Sequence, residues 1–195
     1  DDAPILGLLI KVWKLLKEAI RYYEADNAQI ISVLERPMIE ASVLASYLMT
    51  QDAAVIEDYR KCSYKDRLRL RRDLKAGSPF FDTKAGKRLL AAVQEKMRFE
   101  NLTEDDFAIQ KKNRWRLQGR SFRDIFADVA HDDLYPATYG MMSEALHGSW
   151  NESMDWDLTR NADGTFSPFS LYAPADIRYL PPVLRFAIEP YRQWL

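Results

Sequence analysis

Arg36, Glu40 and Tyr47 step along the chain by four and then seven residues, and Tyr139, Ser143 and His147 by four and four. Either spacing returns to one face of an α-helix. A guanidinium, an imidazole, a phenol and a hydroxyl gathered in one place can bind a phosphate and move a proton beside it. In that chemistry His147 carries the proton and Arg36 holds the phosphate. Glu40 orients Arg36, and Tyr139 and Ser143 act as supporting donors. The neighbours Met38, Ile39, Val43, Leu44, Leu48, Met142 and Leu146 are apolar, which predicts that both helices are largely buried. A buried charge without a partner is costly, so the simplest expectation is that the two rows meet. A purely structural polar network would use the same residue types.

Other chemistries fit less well. Glu144-x-x-His147 and Asp128-x-x-His131 look like the carboxylate–His pairs of helical di-iron proteins. Glu144, however, points about 100° away from Ser143 around the helix, and bridging glutamates are missing, so neither a metal nor a cofactor is expected. Ser143 and His147 as nucleophile and base lack an oxyanion loop, and a helical Ser more often bonds the carbonyl four residues back. A second ligand-binding candidate is the basic stretch 111–123, with six Lys or Arg and no acid. There Trp115 stands among Arg114, Arg116 and Arg120, a pattern suited to phosphate contact and base stacking. Tyr47 closes the first helical row and joins these as a candidate substrate contact. Trp150 to Trp156 could border a ligand pocket or an oligomer interface, or simply cover the core.

These rows need helices to carry them, and helical periodicity dominates the chain. Residues 4–24 place Leu8, Leu9, Val12, Leu15, Leu16, Ala19 and Tyr23 on one face. Asp26 or Asn27 can cap a second helix reaching about Thr50, with a kink expected at Pro37. A third helix is predicted over about 52–75, a fourth from Thr83 to Phe99, and a short one near 104–110. Ser121 starts another that ends near Ala130, and Asp132 or Asp133 one that reaches Gly148, with Pro136 in its first turn. Residues 151–174 read as a long irregular loop, and Pro181-Pro182 opens a final helix. No strand-length alternation and no internal repeat is legible. The expected fold is all-α, a mostly antiparallel helical bundle forming a single domain over 1–195.

The bulk properties agree. The chain has 195 residues, 47% of them hydrophobic and 29% charged, which suits a globular domain able to bury a core. Its one cysteine, Cys62, excludes an internal disulfide framework and fits a reducing cytoplasm. The longest apolar run, Ile5 to Ile10, is too short to span a bilayer, so no membrane partner is expected. The Asp-Asp-Ala-Pro start has neither an initiator Met nor a basic leader, and reads as part of a longer chain. Net charge is only −1, but residues 60–75 carry eight basic side chains and residues 124–163 nine acidic ones. Such asymmetry can steer a polyanion, a protein partner or a second copy.

The segment Trp115-Arg-Leu-Gln-Gly-Arg-Ser121-Phe-Arg-Asp-Ile125, followed by Tyr135, Tyr139, Ser143 and His147-Gly-Ser-Trp150, resembles an uncharacterised bacterial helical family, domain of unknown function 5677. That family pairs an early Arg-x-x-x-Glu helix with a late Tyr-x-x-x-Ser-x-x-x-His-Gly/Pro-Ser segment. Arg36, Glu40, Tyr139, Ser143, His147 and Ser149 stand in those places. The layout is also similar to HEPN-type helical domains, many of them ribonucleases of toxin–antitoxin and phage-defence systems that often share a site across a dimer. Those carry Arg-x4–6-His on one helix. Here residues 141–143 are Met-Met-Ser, and Arg36 would have to supply the cation from another helix. The resemblance therefore implies an RNA- or nucleotide-binding protein of such a system, homo-oligomeric and ribonuclease- or phosphodiesterase-like if catalytic. The alternative is a non-catalytic helical interaction module whose polar cluster is structural.

Overall fold

Helix α1 covers Ala3–Glu24, with Pro4 in the first turn, where its missing N–H is no loss. Its Ile5, Leu8, Leu9, Val12 and Ala19 are buried at the three-to-four spacing of an amphipathic helix. The chain reverses through Asp26, held at a φ of 56°, a left-handed conformation that Asp tolerates better than most residues. Asn27 then caps α2 (Ala28–Met49), its Oδ1 accepting from the Ile30 N–H at 3.2 Å. Helix α2 continues through Pro37 and is buried at every position from Ala41 to Leu48.

The computed structural model describes residues 2–64, 77–103, 106, 115–140, 147–177 and 180–195. The chain divides into two compact units, Asp1–Gln51 with Arg123–Leu195, and Asp52–Phe122.

In the first unit, α2 packs against α1 and against the last helix. The other α-helices among the described residues are α3 (Ala53–Cys62), α4 (Lys84–Phe99), α5 (Phe122–Val129), α6 (Trp150–Trp156) and α7 (Leu180–Trp194). The Ser42 hydroxyl donates to the Phe186 carbonyl, and Gln193 Nε2 donates to the Ser46 carbonyl at 3.1 Å. Both bonds advance along α2 and α7 together, so these two helices run in the same direction, while α1 and α2 are antiparallel. Phe126 of α5 is fully buried, edge-on to Tyr135 at 5.3 Å and tilted against Phe186 at 5.8 Å. The fold is all-α apart from one short hairpin.

That hairpin lies in the segment expected to be irregular. Ser149 caps α6 by accepting from the Glu152 N–H at 3.1 Å, a Ser-x-x-Glu pattern typical of a helix start. Strands β1 (Leu158–Arg160) and β2 (Phe166–Pro168) then pair antiparallel. A seven-residue helix and three-residue strands are too short for periodicity to reveal. The turn between the strands is the Asn-Ala-Asp-Gly stretch, with Gly164 at a φ of 86°.

The helix expected from Asp132 to Gly148 also differs. Of its described residues, 132–133 and 147–148 are turns and Pro136–Gly140 is a π-helical turn, while residues 141–146 lie outside the described residues. Pro136 has no N–H to donate, and the Thr138 hydroxyl bonds the Leu134 carbonyl at 2.6 Å. Both effects work against α-helical pairing at this point.

In the second unit, Asp52 caps α3 and Thr83 caps α4. Val93 and Met97 of α4 are buried with Tyr64 and Leu102 against them. Gly86 is required, because a Cβ there would lie 2.3 Å from the Phe80 carbonyl oxygen. The expected continuation of the third helix over 65–75, and most of the expected helix near 104–110, lie outside the described residues. No helix among the described residues is long and apolar enough to cross a membrane.

Candidate functional site

Arg36 projects from α2 toward Tyr139 of the π-helical turn and toward His147. Its Nη1 donates to His147 Nε2 at 3.2 Å and its Nη2 to the Tyr139 hydroxyl at 3.2 Å. The guanidinium carbon also lies 4.7 Å from the Tyr139 ring centroid, a cation–π distance. Tyr139 in turn donates its hydroxyl hydrogen to Glu40 Oε2 at 3.2 Å. The result is a chain of four side chains from two distant stretches: Glu40, Tyr139, Arg36, His147. Arg36 and Glu40 of the first row thus meet Tyr139 and His147 of the second.

The order within the chain has chemical consequences. Arg36 can only donate, so His147 Nε2 must present its lone pair, and the imidazole proton sits on Nδ1. Tyr139 stands between Arg36 and Glu40, so the carboxylate acts on the guanidinium through a phenol. Among the described residues no carboxylate lies within ion-pair distance of Arg36. Three of its five N–H groups have no acceptor among those residues.

Burial grades across the cluster. Tyr139 is buried, Arg36 and Glu40 are half-buried, and His147 is exposed. Burial pushes the Tyr139 phenol up to about 12, the negative charge of Glu40 adds to that, and Arg36 opposes it. Gly148, at a φ of 59°, turns the chain after His147 into the Ser149 cap of α6. Its conformation is one that a side chain would strain. Glu35, next to Arg36 but about 100° around α2, is buried, and burial raises its carboxyl to about 7.

The remaining candidates are placed as follows. Ser143 and Arg114 lie outside the described residues. Tyr47 is buried on α2, about two turns beyond Glu40. Trp115, Arg116 and Arg120 belong to the Asp52–Phe122 unit. There the backbones of Leu117 and Arg120 bond each other, Arg116 Nη1 donates to the Gly119 carbonyl at 3.4 Å, and the Gln118 N–H donates to Asp58 Oδ2 at 2.7 Å. Trp115, Arg116 and Arg120 are half-buried. Among the described residues no group of three or more His, Cys, Asp or Glu is arranged to hold a metal. The site gathers a guanidinium, an exposed imidazole, a carboxylate and a buried phenol.

The chain belongs to a family of unknown function, DUF5677, whose model matches residues 2–165. No curated protein and no solved structure matches the chain.

Proposed function

We propose that this DUF5677 chain is a HEPN-like RNA- or nucleotide-binding protein of a bacterial toxin or phage-defence system, working in the cytoplasm, and that Arg36 and His147 hold its ligand's phosphate. The observation that carries this reading is the set of partners around Arg36. An arginine whose role is purely structural is normally neutralised by a carboxylate; among the described residues this one is bonded to two neutral groups and has N–H donors left over on a half-buried side chain.

A phosphate oxygen entering beside His147 would take N–H bonds from Arg36. Protonation of His147 at Nε2 would replace its bond from Arg36 with one to the anion, so binding and proton uptake are coupled. Tyr139 and Glu40 fix the far side of the guanidinium. Any cleavage would use His147 as acid or base, with Arg36 stabilising the charge that develops on phosphorus-bound oxygen.

The test is titration calorimetry of the wild type, Arg36→Ala and His147→Ala with adenosine monophosphate and with a short single-stranded RNA, alongside a turnover assay on both. Binding by the wild type that falls at least tenfold in both variants supports the reading. Equal binding by all three proteins, or none by the wild type, ends it.

A second reading is favoured by a different observation, the outer face of α1. Leu6, Ile10, Trp13 and Ile20 are 41–54% exposed and, with Lys17, alternate at four and three residues. That is the narrow seam by which one helix packs on another. On this reading the chain is an interaction module that pairs with a second copy or another protein, and the Arg36 cluster only fixes α2 against the π-helical turn. Sedimentation of the wild type and Trp13→Glu separates the two: an assembly lost in Trp13→Glu, with no phosphate ligand bound, favours the module.

A further inference from the structure

Three residues after His147 the chain reaches Trp150, the first residue of α6, which is 63% exposed although it is the largest side chain type. Its ring stands edge-to-face with Phe166 of β2 at 5.6 Å and 85°, and Phe166 is itself 41% exposed. The hairpin register sets Arg160 directly opposite Phe166. In an antiparallel pair, directly opposed residues share a face of the sheet. Arg160 is exposed and makes no ion pair among the described residues. Exposed aromatic rings at right angles leave ring surface open to a flat partner, and a cation beside them suits an electron-rich one.

The position of this face matters as much as its composition. Three residues of chain span at most about 11 Å, so the backbone of Trp150 lies within that distance of the backbone of His147, whose imidazole accepts from Arg36. Within such a reach one ligand can present a phosphate to Arg36 and a planar base to Trp150. The surrounding charge limits its length. Glu152 and Asp155 on α6, Asp157 at its end and Asp163 in the hairpin turn make this stretch of chain acidic. That charge disfavours a long polyanion more than a single phosphate paired with Arg36.

Building on the phosphate site proposed above, we propose that Trp150, Phe166 and Arg160 form a base-stacking platform, and that the ligand is a nucleoside monophosphate rather than an RNA strand. Trp150 provides the stacking face, Phe166 holds its ring upright, and Arg160 supplies a donor at the edge of the base. Stacking on an aromatic ring is tolerant of base identity, so purines and pyrimidines are both accepted, with the larger ring bound more tightly.

The experiment compares adenosine monophosphate with ribose 5-phosphate, which has the phosphate but no base, on the wild type, Trp150→Ala and Trp150→Phe. The expected result is roughly tenfold tighter binding of the nucleotide, in the range for one stacked base, reduced to parity in Trp150→Ala and largely kept in Trp150→Phe. Ribose 5-phosphate should bind all three proteins equally. Since Trp150 is exposed, unchanged thermal unfolding of the variants is the control for folding. If both ligands bind the wild type alike, or Trp150→Ala leaves the difference intact, the platform is wrong while the phosphate site stands. Binding of neither ligand overturns both proposals. A hexanucleotide RNA that binds more than tenfold tighter than the monophosphate overturns the restriction to a single nucleotide.

Discussion

The guanidinium of Arg36 donates to the imidazole of His147 at 3.2 Å across 111 residues of chain. The contact joins a helix near the beginning of the sequence to a turn in its last third. The bond makes His147 Nε2 an acceptor, and among the described residues no carboxylate lies within ion-pair distance of Arg36, so the phosphate site proposed above can be tested at this pair.

Arg36→Lys should be a poor replacement. A lysine keeps the charge but cannot reach His147 and Tyr139 together from one planar group. We expect Arg36→Lys to lose at least tenfold in nucleotide affinity, close to the loss in Arg36→Ala. Calorimetry on both variants checks this, and full retention by Lys would mean that charge alone matters.

Proton uptake should accompany phosphate binding. Calorimetric titrations in two buffers of different ionisation enthalpy should give heats that differ by an amount corresponding to a fraction of a proton taken up. The same pair of titrations on His147→Gln should give equal heats. Buffer-independent heats in the wild type would show that His147 stays neutral.

Tyr139 should ionise late. Its phenol is pushed up to about 12 by burial and by Glu40, so the ultraviolet absorbance change lost in Tyr139→Phe should lie well above the ordinary tyrosine range of about 10. Tyr139→Phe removes the hydroxyl that joins Glu40 to Arg36 and should cost about 1 kcal/mol, the usual net worth of such a bond. Chemical denaturation measures the loss, and the Tyr139→Phe, Glu40→Gln cycle isolates the pair.

Glu35 should make stability depend on pH. Its carboxyl is raised from 4.5 to about 7 by burial, so between those values the folded state holds a proton that the unfolded state has released. The stabilisation is complete below about 4.5 and is lost as pH rises through about 7. A shift of that size corresponds to roughly 3 kcal/mol. Glu35→Gln should therefore unfold at a higher temperature than the wild type at pH 8 and show little difference at pH 4.5. Thermal scans at both pH values decide it, and parallel curves would place the carboxyl in water.

Ser42→Ala should destabilise the packing of α2 on α7. It deletes the buried hydroxyl that donates to the Phe186 carbonyl, and that carbonyl belongs to a helix whose backbone is largely paired. The expected cost is about 1 kcal/mol. Phe126→Ala, at the fully buried meeting point of Tyr135 and Phe186, should cost about 3–5 kcal/mol.

The amino-acid order alone determined the long helices and the caps that start them. Apolar residues three and four apart needed the same partner face, and Asn27, Asp52 and Thr83 each had a free oxygen one turn before an unpaired N–H. It also determined that Arg36 and Glu40 share a face, because helical spacing is a local rule. Tertiary structure decided what those faces meet. The position of Tyr139 between Glu40 and Arg36 depends on a π-helical turn, where a proline without an N–H and a threonine that bonds its own backbone alter the helical register. The Trp150 and Phe166 pair depends on a hairpin whose strands are too short to show alternation. Contacts separated by a hundred residues are set by packing between elements, and no local spacing encodes which element will be the neighbour.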